Sequence, residues 1–99
     1  MDQSEVWKSV AAGALTVKVV FFARLREALG SAGETLTMPA GTATVETLRE
    51  HLRNRGGAWE TELGPTRAVR VAVNQDMATL HTPLKPGDEV AFFPPVTGG

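Results

Sequence analysis

The chain contains no cysteine, which excludes disulfide cross-links, thiolate metal sites and a thiol nucleophile of its own. It lacks a basic excess as well. Ten Lys and Arg against eleven Asp and Glu leave a formal charge of −1, with no Lys/Arg run to neutralise phosphates, so nucleic-acid binding is not expected. Long apolar runs are missing too. The longest, Val19-Val20-Phe21-Phe22-Ala23, falls far short of the ~18 residues that a membrane-spanning helix needs. The two histidines, His51 and His81, stand far apart without ligand-spaced companions, so no metal site is expected. No GxxxxGK loop is present to hold ATP phosphates. The N-terminus carries Asp2 and Glu5 where a signal peptide has basic residues, and Lys18 interrupts the apolar stretch; the expected location is therefore the cytoplasm.

What remains is enough for one folded domain. At 99 residues with a hydrophobic fraction of 42%, the chain can build a single modest core. Residues 1–15 show no clean period and read as a flexible extension or a short helix nucleated after Ser4. Thr16 to Ala23 is rich in β-branched and aromatic residues and predicts a strand. Alternation puts Val17, Val19 and Phe21 on one face and Lys18, Val20 and Phe22 on the other, a face left partly open by its charge. Arg24 to Gly30 predicts one or two helical turns, with Leu25 and Leu29 at i,i+4 and Gly30 as the stop. Glu34 to Met38 predicts a second strand, antiparallel to the first.

Thr44 to Arg55 predicts the main helix. Thr44 is the expected N-cap, Glu46 suits the positive end, and Val45, Leu48 and Leu52 form an apolar stripe. Trp59 and Leu63 share a face of a short helical piece that stops at Gly64-Pro65. Ala68 to Asn74 predicts a strand, Asn74-Gln75-Asp76 has turn chemistry, and Ala78-Thr79-Leu80 is expected to pair briefly. A turn at Lys85-Pro86-Gly87-Asp88 launches the last strand, Glu89 to Phe93, with Ala91 and Phe93 sharing one face. One main helix on a mixed sheet predicts an α+β fold of the β-grasp (ubiquitin-like) type. The expected division is an extension at 1–15, a domain at 16–93 and an extended tail at 94–99.

Prolines at Pro94 and Pro95 lack the N–H donor and hold the exit of that tail extended. Six residues at ~3.3 Å each reach roughly 20 Å beyond the last strand. Gly98 and Gly99 carry no side chain, so the tip can thread a channel too narrow for any Cβ. A terminal carboxylate is anionic at neutral pH and a poor electrophile. It needs activation, and with neither an ATP loop nor a cysteine in this chain, both activation and the second nucleophile must come from partners. By itself the chain is a carried group.

The segments VKVVFFARLREALG, TVETLREHL, VNQDMA and KPGDEVAFFPPVTGG resemble the small subunit of molybdopterin synthase, the MoaD-type sulfur carriers. The likeness covers about residues 16–99, and its most specific part is the closing block from Asp88 to Gly99. The resemblance implies a non-catalytic, sulfur-carrying subunit in molybdenum cofactor biosynthesis. A MoeB-type adenylating enzyme would activate Gly99 with ATP, and a sulfur donor would convert it to a thiocarboxylate. The tail would then enter a MoaE-type large subunit, where two such sulfurs build the dithiolene of molybdopterin. Gly99 would hold the sulfur and Gly98 give clearance, while Pro94, Pro95, Val96 and Thr97 line the insertion path. Phe22, Phe93 and Met77 match the family's apolar docking patch. No cofactor is expected to be bound by the chain itself. Thiamine-pathway carriers, which share the Gly-Gly end, are the nearest alternative; a protein-conjugated modifier and a chemically idle interaction module stand behind them.

Overall fold

The computed structural model describes residues 14–39, 41 and 43–95. In chain order they form β1 (Ala14–Phe21), α1 (Ala23–Leu29), β2 (Gly33–Pro39), α2 (Val45–Arg53), α3 (Ala58–Leu63), β3 (Arg70–Val73), β4 (Asp76–Met77) and β5 (Glu89–Phe93). The strands make one mixed sheet ordered β2-β1-β5-β3-β4. β1 is antiparallel to β2 and parallel to β5, while β3 is antiparallel to both β5 and β4. The first and last of these strands therefore lie side by side, and every helix falls between them in sequence. This is the β-grasp arrangement that the sequence predicts.

Alternation of large apolar residues gives β1 one buried face, made of Leu15, Val17, Val19 and Phe21. Register extends that face across the sheet: Val19 lies opposite Val90, Phe21 opposite Phe92, and Phe92 opposite Val71. Phe21 stacks on Phe92 at 6.1 Å and meets the edge of Trp59 at 5.5 Å between ring centroids. α2 closes over this layer. Its N-cap is Thr44, whose hydroxyl accepts from the Thr47 N–H at 3.2 Å while the Thr44 N–H donates to the Thr47 hydroxyl at 2.9 Å. Val45, Leu48 and Leu52, the predicted stripe, are fully buried. Each such side chain stabilises the fold by roughly 1.5–3 kcal/mol relative to exposure. Leu25 and Leu29 of α1 and Leu63 of α3 belong to the same cluster, so two short helices complete the layer begun by α2.

Three expectations shift. β1 runs from Ala14 to Phe21, not from Thr16 to Ala23, because the chain turns sharply at Ala23, whose φ is 53°. β2 starts at Gly33, where a Cβ would fall onto the Val19 carbonyl of β1; only glycine permits that approach. The pairing expected at Ala78–Leu80 starts earlier, at Asp76–Met77, and reaches Ala78, whose N–H donates to the Val71 carbonyl at 3.0 Å. Asn74 and Gln75 both have positive φ, 51° and 72°, and make a two-residue hairpin loop. Pairing therefore resumes at once, with Val73 opposite Asp76 and Ala72 opposite Met77.

Two buried acids act as joints. Glu62 of α3 accepts from Arg24 of α1 at 2.6 Å and faces Arg67 at 3.6 Å. Asp88 accepts from the Asn74 side chain and from the Lys85 N–H, both at 2.8 Å. The Asn74 side-chain oxygen, Oδ1, accepts in turn from the Glu89 N–H at 3.0 Å, tying the β3–β4 turn to the start of β5. Among the described residues, no helix is long and apolar enough to cross a membrane.

Candidate functional site

The helices cover one face of the sheet; the candidate site is the other. Parity sends Thr16, Lys18 and Val20 of β1 to that open face, and Phe22 follows in the same sense immediately before α1. Ala91 and Phe93 of β5 and Arg70 and Ala72 of β3 share it, since their neighbours Val90, Phe92 and Val71 are buried on the helix side. Met77 joins them because it lies directly opposite Ala72.

Register then sorts these residues into rows. Val20, Ala91, Ala72 and Met77 line up across β1, β5, β3 and β4, a span of three strand spacings or roughly 14 Å. The adjacent row is Phe22, Phe93 and Arg70. Phe93 pairs with Arg70, and Phe22 prolongs the β1–β5 ladder by donating its N–H to the Phe92 carbonyl at 3.2 Å. The far end of the face is polar. There Thr16 and Thr37 share a hydroxyl hydrogen bond of 3.2 Å, and Lys18 lies opposite Thr35 and Glu89.

The apolar half of the open face is thus the half from which the tail leaves. Phe22 is 51% exposed and Met77 63% exposed, while Phe93, Pro94 and Pro95 are half-buried. The structure therefore puts Phe22 and Phe93 side by side at the root of the tail, with Pro94 and Pro95 following directly, and Met77 on the same face in the next row, at the β4 edge. Val96, Thr97, Gly98 and Gly99, also expected in the site, lie outside the described residues. Sequence reasoning placed Val20 and Ala91 on these faces without assigning them to the patch, and it missed Ala72 and Arg70. The signal for all four is strand register, which a single chain's alternation does not reveal.

A second concavity of about 520 Å³ lies beside the tail root, with Arg49, Arg53, Arg67, Arg70, Leu80 and Pro95 among its lining residues. It is largely a structural joint. Arg49 spends its donors on the carbonyls of Leu63, Gly64 and Arg67 at 2.6, 3.0 and 3.4 Å. Burial, followed by the charge of Arg53, lowers the Arg49 guanidinium from the ordinary arginine value. Arg53 is paired with Glu60 at 3.0 Å. The Arg49 contacts tie α2 to the loop leading into β3. Among the described residues, no three potential metal-ligating side chains cluster, and His51 and His81 are both exposed. What the described surface offers chemically is an exposed apolar face around a proline stem.

Comparison with known proteins gives the same fold. The sequence model of the ThiS family matches residues 19–99. The molybdopterin synthase sulfur carrier subunit of Escherichia coli (strain K12) is 43% identical over 83 residues, covering 84% of this chain and 99% of that protein. Among solved structures, the small archaeal modifier protein 1 of Methanosarcina acetivorans superimposes with a TM-score of 0.64 at 29% identity, covering 87% of this chain and 98% of that one. Subunits 1 and 2 of the molybdopterin-converting factor from Helicobacter pylori have been solved as a complex. A chain of it superimposes with a TM-score of 0.57 at 30% identity, covering 86% of this chain and all of that one.

Proposed function

Since the chain belongs to the ThiS family, we propose that it is a sulfur carrier of molybdenum cofactor biosynthesis, working through the Gly99 carboxylate. The observation that carries this reading is the position of the tail root. Pro94 and Pro95 continue from Phe93 on the edge of an apolar patch that includes Phe22 and Met77. A partner that grips this patch receives the tail at a fixed place and angle, which is what delivery of an acyl group into another protein's active site requires.

In the proposed cycle, an adenylating enzyme joins the Gly99 carboxylate to AMP and releases pyrophosphate. A sulfur donor then displaces AMP and leaves a thiocarboxylate. The patch docks onto the large subunit of molybdopterin synthase, the tail enters, and sulfur passes to the pterin precursor to build the dithiolene. Pairing of such subunits in the Helicobacter pylori complex supports this choice of partner, and the Escherichia coli likeness supports the pathway over thiamine synthesis. Gly98 supplies clearance, and Val96 and Thr97 line the path.

The likeness to a small archaeal modifier protein favours a second reading, in which Gly99 forms an isopeptide bond with lysines. Intact-mass measurement after incubation with the adenylating enzyme, ATP and a sulfide source separates the two. Replacement of one oxygen by sulfur at the C-terminus is the expected result. Lysine-linked adducts of high mass without the sulfur form would establish the modifier instead.

A further inference from the structure

One residue of the open face does not fit a purely apolar docking patch. Arg70 stands in the row with Phe22 and Phe93, directly opposite Phe93. It lines one hollow together with Met77 and another together with Pro95, so it borders both Met77 and the tail root. The other arginines around it have fixed roles. Arg53 and Arg67 face Glu60 and Glu62, and Arg49 is held by three backbone carbonyls. Arg70 enters no ion pair among the described residues. Nor does the sheet offer it an acid, and Glu46 and Glu50 of α2, which share its hollow beside Pro95, form no ion pair with it. Glu89 lies at the opposite end of β5, beside Lys18, four residues or roughly 13 Å from Phe93. Asp76 pairs with Val73 and alternates away from the face that Met77 occupies.

A surface that covers Phe22, Met77 and Phe93 must cover Arg70 as well. An unpaired guanidinium buried in such a contact is strongly unfavourable, whereas one matched by a carboxylate in a two-point hydrogen bond is well accommodated. We propose that the docking surface of the partner carries an Asp or Glu aimed at Arg70, and that this ion pair selects the partner within an otherwise apolar contact. The inference rests on the reading that the patch docks onto the synthase large subunit.

The sign of one substitution decides the matter. Arg70→Leu makes the patch more apolar; a merely greasy contact would tighten, while loss of an ion pair would strand the partner's acid and weaken it. The chain and its variants are titrated calorimetrically against the purified large subunit from the same organism, at low and high salt. Arg70→Leu is expected to weaken binding roughly 30-fold or more, Arg70→Glu further, and Arg70→Lys less than either. Wild-type affinity should fall with salt, and that of Arg70→Leu should not. Unchanged amide spectra check that the variants fold. Replacing one Asp or Glu of the large subunit by Lys should restore binding to Arg70→Glu. Equal or tighter binding by Arg70→Leu, with the wild type binding normally, overturns the ion pair and leaves the docking reading intact. Absence of wild-type binding overturns both.

Discussion

Phe93 ends β5 and Pro94 follows it without a spacer, so one backbone direction sets both the outward ring and the departure of the tail. Replacing Phe93 by Lys puts a charge into the patch at the tail root. It should weaken docking to the large subunit by about 2 kcal/mol or more, close to 30-fold in affinity. Its melting temperature should stay near that of the wild type, because the ring is only half-buried. Equal affinity in a binding titration would place Phe93 outside the interface. Gly98→Val tests the clearance argument at the other end of the tail. It should leave thermal stability unchanged and abolish sulfur transfer, which a single-turnover assay reads directly. At this scale much was legible from alternation, which put Phe22 and Phe93 on the uncommitted strand faces. The isolation of Arg70 was not, because it depends on which residues of β5 and β4 lie opposite it.

Among the elements, β1, α2 and β5 are readable because each carries a clean period that burial then confirms. β4 is not, since two residues are too few to show a period; its place follows from the left-handed pair Asn74-Gln75. Asn74→Ala removes the hydrogen bonds to buried Asp88 and to the Glu89 N–H and puts a less tolerant residue at positive φ. It should cost about 1–3 kcal/mol in chemical denaturation and shift the Met77 resonances. Arg55 shows a similar limit. It reads as the end of a helix, yet it pairs with Glu34 of β2 through two hydrogen bonds, one of 2.8 Å, and lies 4.5 Å over the Trp59 ring of α3. The hydrogen bond from Arg55, supported by its charge against the opposing effect of burial, lowers the Glu34 carboxyl from the usual glutamate value. A carboxyl depressed in the folded state stabilises the fold above its unfolded pKa and loses that contribution as pH falls through the folded one. Glu34→Gln should therefore destabilise by roughly 0.5–1 kcal/mol at neutral pH. The gap to wild type should close as the pH falls below the ordinary glutamate range; a gap that persisted in strong acid would point to packing instead.

For the molecule as a whole, the sheet order sets where the open face and the tail root lie. β1 and β5 are neighbours, so the patch and the tail root depend on closure of the entire chain, with one apolar cluster behind them. Leu52→Ala, in the middle of that cluster, should cost about 2–5 kcal/mol and weaken docking only through the fraction unfolded. The β-grasp order was legible from the succession of strand and helix patterns. The joints at Glu62 and Asp88 were not, because their partners Arg24 and Asn74 are 38 and 14 residues away in sequence. The most direct test of the account is the fate of the sulfur itself. Thiocarboxylated chain is mixed with the large subunit and the pterin precursor, and its intact mass is followed while molybdopterin forms. The chain should return to the plain carboxylate mass only when both are present, in step with product. Molybdopterin formed while the chain keeps its sulfur, or formed equally well with a chain lacking Gly99, would contradict it.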